Sequence, residues 1–167
     1  MLFVSKFNFK IFTFEELIMS FKGKCLCGSV KVEVEGEAVA MMLCHCNVCS
    51  SWSASPVNGA TLFQPNQVKI TEGEEFLNSF SLSEGHDRKW CSKCGGHVLT
   101  DHTNTYGIID VYGSILENFS FKPSAHVNYE NTILPIKDGL PKFKDFPEDF
   151  GLVEFFWKNR TSLHNMV

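Results

Sequence analysis

The segment Cys25-Leu-Cys-Gly-Ser-Val-Lys-Val-Glu-Val-Glu-Gly36 joins a close pair of cysteines to the clearest strand pattern in the chain. Val30, Val32 and Val34 alternate with charged residues before Gly36, as in a half-buried β-strand that ends in a turn. Cysteines this close in sequence cannot easily form a disulfide with each other, whereas such spacing is typical of thiolate ligands to zinc. The segment therefore predicts a strand that begins beside two metal-binding thiols.

A second pair of cysteines completes a four-thiol set. Cys91-Ser-Lys-Cys94-Gly-Gly96 has the form of a zinc knuckle, in which glycine permits the positive φ that a tight turn needs. We expect one structural zinc ion, held by Cys25, Cys27, Cys91 and Cys94. The alternative is that these four are free cysteines buried in the core. Cysteines that serve only as small apolar side chains, however, would have no reason to occur in closely spaced pairs.

The remaining three cysteines predict a site of a different kind. Cys44, Cys46 and Cys49 lie in one short segment, and the serines that follow are not obvious ligands, so the fourth position of a bound zinc would stay open, as in catalytic sites. Three thiolates leave the centre negatively charged and a poor generator of hydroxide, so a soft external thiol is the more natural fourth ligand. Zinc would hold that thiol as a nucleophile for attack on a small electrophile. We thus expect two zinc ions per chain.

Length, composition and charge exclude several classes of protein. The chain has 167 residues and 44% hydrophobic content, enough for one domain with a core. A formal net charge of -4 without any basic run predicts no binding to nucleic acid or to an anionic membrane. No stretch approaches the roughly 20 apolar residues of a membrane span. An odd number of cysteines without an export signal predicts a reducing, cytoplasmic location.

Three parts of the chain are expected. They are an N-terminal extension (1–19), a zinc-binding domain (20–147) and a C-terminal tail (148–167). The Phe-rich start has lysines inside its apolar pattern and no small-residue cleavage site, so it is a poor signal peptide. Either a start codon upstream of Met19 or an ordered amphipathic appendage explains the extension.

Strand patterns dominate the expected domain. Besides the strand at 30–34, period-two or short apolar runs separated by Gly, Pro, Asn and Ser occur at 38–43, 60–63, 68–70, 76–80, 86–90, 97–100 and 106–111. A short helix is expected after Cys46 and a helical turn at 114–118. This repeated pattern of short strands separated by turn residues predicts a mainly β fold.

The histidines carry weaker signals. His45 lies between two expected ligands, so we expect it to face away from the metal and to pack or support the site. The other histidines are expected to be structural, although His97, just beyond the knuckle, could donate to a substrate.

The three cysteine groups, in this order and at these separations, resemble the glutathione-dependent formaldehyde-activating enzyme family, also called the centromere protein V domain family. The likeness spans about 20–147 and is carried by 23–30, 44–49, 90–95 and Asp138-Gly-Leu-Pro-x-Phe143. It implies a β-tent fold of packed antiparallel sheets, with a structural zinc at the four-thiol set and a labile catalytic zinc at the three-thiol set.

The resemblance also implies an activity. Members are described as carbon-sulfur lyases, and the founding reaction forms S-hydroxymethylglutathione from glutathione and formaldehyde, a condensation that also proceeds without an enzyme. We therefore expect a small-molecule thiol such as glutathione as partner. Relatives often carry an arginine after the third cysteine of the second group, where this chain has Ser50-Ser-Trp-Ser-Ala-Ser55. Without that cation, the sequence predicts a weaker anchor for a glutathione carboxylate.

Two further classes of function compete with the enzyme hypothesis. A zinc-stabilised binding or adaptor module, as in the centromere relatives, would normally need a basic or disordered region, and the chain has no basic run. A thiol-redox protein, resembling the methionine sulfoxide reductases that share the fold, would need a reactive cysteine outside the metal sites. All seven cysteines are already assigned. A zinc-dependent carbon-sulfur lyase-like enzyme that acts on a small thiol adduct is the leading hypothesis.

Overall fold

The computed structural model of the protein describes residues 19–146, most of which belong to two β-sheets. Ten strands occur in this part of the chain: β1 (Ser20–Lys24), β2 (Lys31–Glu35), β3 (Ala40–Cys44), β4 (Asn58–Phe63), β5 (Val68–Glu72), β6 (Leu77–Ser81), β7 (Asp87–Cys91), β8 (His97–His102), β9 (Ile108–Val111) and β10 (His126–Val127). The smaller sheet has the order β1-β2-β5 and the larger β10-β3-β4-β9-β8-β7-β6. Neighbouring strands are antiparallel, apart from the short parallel pair of β10 and β3.

Helical structure is sparse. Within residues 19–146 the two α-helices are α1 (Asn47–Ser53) and α2 (Thr103–Tyr106), and single 3-10 turns lie at Pro65–Gln67, Glu74–Phe76, Gly113–Ile115 and Tyr129–Asn131. No helix in this range is long and apolar enough to cross a membrane.

The main core lies between the two sheets. The valines at positions 30, 32 and 34 are fully buried and pack in one cluster with Phe63, Val98 and Val111 of the larger sheet. Burial of side chains of this size stabilises the fold by about 1.5–3 kcal/mol each. The alternating pattern of β2 thus supplies the contact between sheets, and the predicted mainly β fold of packed antiparallel sheets is confirmed.

The other face of the larger sheet carries a second, smaller apolar cluster. Leu62 and Phe63 are neighbours on β4 and therefore point to opposite faces, Phe63 into the main core and Leu62 into the second cluster. Met42 and Ile108 join Leu62 there. This second cluster forms the wall of the site described below.

Most predicted elements are found where the sequence placed them, with two kinds of error. The strand predicted at 106–111 begins only at Ile108, because Tyr106 ends α2 and Gly107 caps that helix at a φ of 64°. The helical turn predicted at 114–118 is the 3-10 turn at 113–115. Strands β1 and β10 were not predicted, since neither shows apolar alternation. The expected tail 148–167, and all but Met19 of the expected N-terminal extension, lie outside the described residues.

Gly73, which follows β5, provides a test of its close contact with the segment that precedes β2 in the smaller sheet. It has a φ of 76°, and a Cβ atom there would overlap the backbone carbonyl oxygen of Ser29. We predict that Gly73→Ala lowers the free energy of unfolding, measured by urea denaturation, by at least about 2 kcal/mol more than Gly139→Ala. Gly139 is the matched control, since its φ is 81° with nothing near its Cβ position, so only the left-handed strain of about 1 kcal/mol applies. Equal losses would contradict the described contact.

Candidate functional site

Four thiols from two distant parts of the chain lie close together. The Sγ atoms of Cys25, Cys27, Cys91 and Cys94 all lie within 4.8 Å of one another. The Cys25–Cys27 and Cys27–Cys91 sulfur distances are 3.6 and 3.9 Å. Tetrahedral zinc with ordinary zinc–sulfur bonds requires sulfur–sulfur distances of about 3.8 Å. The sequence-predicted pairs are therefore brought together, and the set could hold a metal ion.

Local backbone geometry explains why these thiols converge. The Gly28 N–H donates to the Cys25 carbonyl, and the Gly95 N–H donates to the Cys91 carbonyl, so each pair lies on a tight turn. Both glycines have a positive φ, which is the conformation predicted for the knuckle. The Val30 N–H also points at the Cys25 sulfur, at 3.3 Å.

The three other cysteines form a separate group at the start of α1. Their Sγ atoms also lie within 4.8 Å of one another, with Cys44 and Cys49 3.9 Å apart. Cys44 ends β3, whereas Cys46 is the N-cap of α1 and its sulfur accepts the Cys49 N–H. Among the described residues, no further histidine, cysteine or carboxylate joins this group. It could hold a metal ion on one side and leave the other side open.

Charge is distributed unevenly over these three thiols. Hydrogen bonds from the Cys44 and Cys49 thiols, helped by backbone N–H groups at the start of α1, hold the pKa of Cys46 well below its usual value. The hydrogen bond between the Cys44 thiol and Cys46 raises the pKa of Cys44 to about 11. One thiolate is thus favoured without a metal, and a divalent cation would favour ionisation of the other two.

A cavity of about 520 Å³ opens directly beside this group. The three cysteines line one side of it, and the second apolar cluster with Met42, Leu62 and Ile108 lines another. Cavities of this size and mostly apolar character are typical of small-molecule sites. The polar side chains of the lining include His86, Arg88, His102 and Asp110.

Asp110 is the half-buried carboxyl group of this cavity. It lies on β9 and accepts a hydrogen bond of 2.7 Å from the Thr61 N–H. Burial nevertheless raises the pKa of Asp110 to about 7. A carboxyl group with such a pKa can both accept and donate a proton near neutral pH. Sequence analysis missed it, because a single Asp within a short apolar strand carries no motif.

Arg88 is the buried cation of the same cavity. It lies on β7, is 8% exposed, and donates from Nη1 to the His86 carbonyl at 3.3 Å. The sequence has no cation directly after Cys49. In the structure, Arg88 of β7 places a cation in the cavity instead. The run of three charged residues at 87–89 gave no sign of this, because it resembles an ordinary solvent-exposed segment.

Two histidines next to Arg88 form a hydrogen-bonded pair. The Nδ1 atoms of His86 and His102 are 2.8 Å apart, so one ring donates and the other accepts. Burial, and then the neighbouring His86, lower the pKa of His102 to about 4, and burial also lowers the pKa of His86. Both rings are therefore neutral at neutral pH.

His45 is buried and turned away from the thiols, as predicted. Its Nε2 lies 2.8 Å from Nδ1 of His126, and its Nδ1 lies 2.9 Å from the Thr132 hydroxyl. His126 Nε2 in turn donates to the Asp138 carboxylate at 2.8 Å. This chain of hydrogen bonds fixes the position of His45, the residue between Cys44 and Cys46. His97 stacks on Trp52, with ring centroids 4.7 Å apart, and is not among the cavity-lining residues.

Comparison with known proteins identifies similar sequences and a similar fold. The sequence model of the family described as "Glutathione-dependent formaldehyde-activating enzyme" matches residues 20–131. A Schizosaccharomyces pombe protein named as an uncharacterised lyase is 26% identical over 84 residues, which cover 50% of this chain and 59% of that protein. A crystal structure of a Rhodobacter sphaeroides protein superposes with a TM-score of 0.51 at 22% identity, over 59% of this chain and 90% of that one, and shows a shared fold.

The two thiol groups should differ in their importance for stability. We predict that Cys94→Ser loses one metal ion per chain and lowers the Tm by more than about 10 °C, since a structural metal contributes directly to folding. Cys46→Ser should also lose one ion but lower the Tm far less, because serine preserves the N-cap of α1. Elemental analysis and thermal denaturation measure both. A fully metal-loaded Cys94→Ser protein of native stability would refute the four-thiol site.

Asp110 predicts a pH dependence of stability. Its pKa is raised on folding, so the folded state holds the proton more tightly and loses stability as pH rises towards and through about 7. Asp110→Asn keeps an oxygen for the Thr61 N–H but has no charge. From about pH 5 to about pH 8, the stability of the variant relative to the native protein should therefore increase by at least about 1.4 kcal/mol, one pKa unit. A pH-independent difference in urea denaturation would contradict the raised pKa.

Proposed function

Because the chain belongs to the glutathione-dependent formaldehyde-activating enzyme family, we propose that it is a zinc-dependent lyase-like enzyme that joins a small thiol to an aldehyde such as formaldehyde, and cleaves the adduct in reverse. One observation carries this proposal: three thiols, open on one side, line a cavity that is also lined by the carboxyl group of Asp110. Glutathione is the first substrate to test, since the family is named for it.

The proposal assigns a different role to each thiol group. The four-thiol group would hold a structural zinc, because its sulfur spacing suits a closed tetrahedral site. The group of Cys44, Cys46 and Cys49 would hold the second zinc, which would supply an open position where a substrate thiol is held ionised. A location in the cytoplasm and a lack of nucleic-acid partners stay predictions from the sequence.

The chain's own residues have two tasks in the reaction. The apolar wall around Leu62 and Ile108 excludes water from the reacting atoms. Asp110 accepts the proton of the substrate thiol. The sulfur then forms a bond to the aldehyde carbon, the second electron pair of the C=O bond moves to oxygen, and Asp110 returns the proton to that oxygen. Protons and electrons balance, and the reverse sequence cleaves the carbon–sulfur bond.

The structure favours this hypothesis over its two competitors. A binding or adaptor module needs no apolar cavity beside an open thiol group, and it needs no buried carboxyl group with a pKa near 7. A thiol-redox function needs a cysteine outside the metal groups, and each of the seven cysteines belongs to one of the two groups.

Exchange spectroscopy gives a direct test of the reaction. Because the uncatalysed condensation is measurable, we predict a rate enhancement: two-dimensional exchange NMR should show faster interconversion of free and glutathione-bound formaldehyde with the zinc-loaded protein than in buffer. Asp110→Asn should reduce the enhancement by about 100-fold, the ordinary contribution of general acid–base catalysis.

The controls separate catalysis from simple thiol binding. Cys46→Ser should abolish the enhancement while the four-thiol site stays loaded. Cobalt in place of zinc should show thiolate bands that shift when a thiol is added to the native protein and stay unchanged in Cys46→Ser. If no thiol shifts these bands between about pH 6 and about pH 9, the range in which thiols begin to ionise, the thiol-activating function is wrong.

A further inference from the structure

Arg88 is a buried charge without a carboxylate partner in the part of the chain that the structure describes. Only 8% of its surface is exposed, and the one side-chain hydrogen bond that it makes in that part goes to the neutral carbonyl of His86. Leaving a buried charge without a counter-ion is costly unless its hydrogen-bonding groups are satisfied. The guanidinium lines the cavity, so a ligand in the cavity can reach it.

The neighbouring groups do not neutralise this cation. His86 and His102 carry no negative charge in any protonation state. Asp110 lines the same cavity, but its pKa is raised by burial, whereas an ion pair with Arg88 would lower it. On β7 itself, Asp87 accepts a hydrogen bond from Ser81, and Lys89 forms an ion pair with Asp101 at 3.3 Å. Both therefore have partners of their own.

The position of Arg88 suits a ligand that bridges the cavity. The three thiols occupy another part of the same lining, and a second depression of about 350 Å³ adjoins the cavity at Arg88 and is also lined by Trp52 and Phe80. A molecule whose sulfur reaches the thiol group can thus place a second functional group at Arg88. The adjoining depression leaves room for a longer body beyond it.

We infer that Arg88 binds a carboxylate of the substrate, so that the enzyme selects low-molecular-weight thiols that carry a carboxylate. The inference rests on the proposed function and adds the class of substrate to it. A guanidinium offers two parallel N–H groups that match the two oxygens of a carboxylate. Arg88 thereby takes the place of the cation that the sequence lacks after Cys49.

A cycle of ligands and variants tests this inference. The ligands are 3-mercaptopropionate and 3-mercaptopropionamide, which differ only in the charge of the far end, and their binding is followed by the thiolate bands of the cobalt-loaded full chain. The proteins are native, Arg88→Gln, Arg88→Lys and Lys89→Gln. Lys89→Gln is the matched control, because it removes the same charge from the adjacent position of β7 without altering the cavity lining.

For each protein, the dissociation constant of the amide thiol is divided by that of the carboxylate thiol. We expect this ratio to be about tenfold larger in the native protein and in Lys89→Gln than in Arg88→Gln, because a charge-assisted hydrogen bond contributes about this much. Arg88→Lys should retain part of the preference. Comparing ratios between proteins cancels the different thiol pKa values of the ligands.

Each other outcome is decisive. The same ratio in native protein and Arg88→Gln, with both folded by circular dichroism, overturns the inference and leaves the thiol-binding function intact. If neither thiol shifts the bands of any of the four proteins, the proposed function itself fails. If Arg88→Gln does not fold, the native protein alone gives the answer. Equal dissociation constants for the amide and the carboxylate thiol, each corrected for the ionised fraction of the thiol, overturn the role of Arg88.

Discussion

The convergence of four sulfur atoms within 4.8 Å determines how the two sheets are joined. Cys25 and Cys27 follow the first strand of the small sheet, whereas Cys91 ends β7 of the large one. Cys27 and Cys91 are 64 positions apart, but the entropic cost of closing such a loop grows only slowly with its length. A structural zinc ion at this point would contribute on the order of 10 kcal/mol and exceed that cost. Cys25 and Cys91 belong to the same buried cluster as the valines that connect the two sheets, so the junction and this core adjoin each other.

The sequence predicted the parts of the site that are local and missed those that are not. Cys44, Cys46 and Cys49 lie within one turn of chain, so their spacing alone indicates a common ligand set. Arg88 and Asp110 come from β7 and β9, two strands that are not direct neighbours but lie on either side of β8. Neither residue carries a local motif, and only strand order places them in one cavity. The strands themselves were predictable wherever apolar residues alternate, as in β2, and β10 was not, because its two residues are held by tertiary contacts.

One of these contacts explains why the segment around Asp138 matters to a site far away in sequence. Lys142 and His126 hold the pKa of Asp138 well below its usual range, so a carboxylate is present to receive the His126 hydrogen bond. His126 then orients the His45 ring, and the backbone N–H of His45 donates to the carbonyl of Val127. The loop that carries the three thiols is thus held by a segment about ninety residues later. The direction of the His45 side chain is therefore set by tertiary contacts and not by the sequence of the thiol loop itself.

The alternation along β4 and β9 has a consequence for how such a protein can diverge. Leu62 and Ile108 belong to the cavity wall, while their immediate neighbours Phe63 and Ile109 belong to the main core. Because side-chain direction in a strand has a period of two, replacing one set leaves the other in place. Natural selection can therefore reshape the ligand surface through every second residue without disturbing the scaffold. Descendants of one ancestor can then share the same interior and the same cysteines while they accept different molecules.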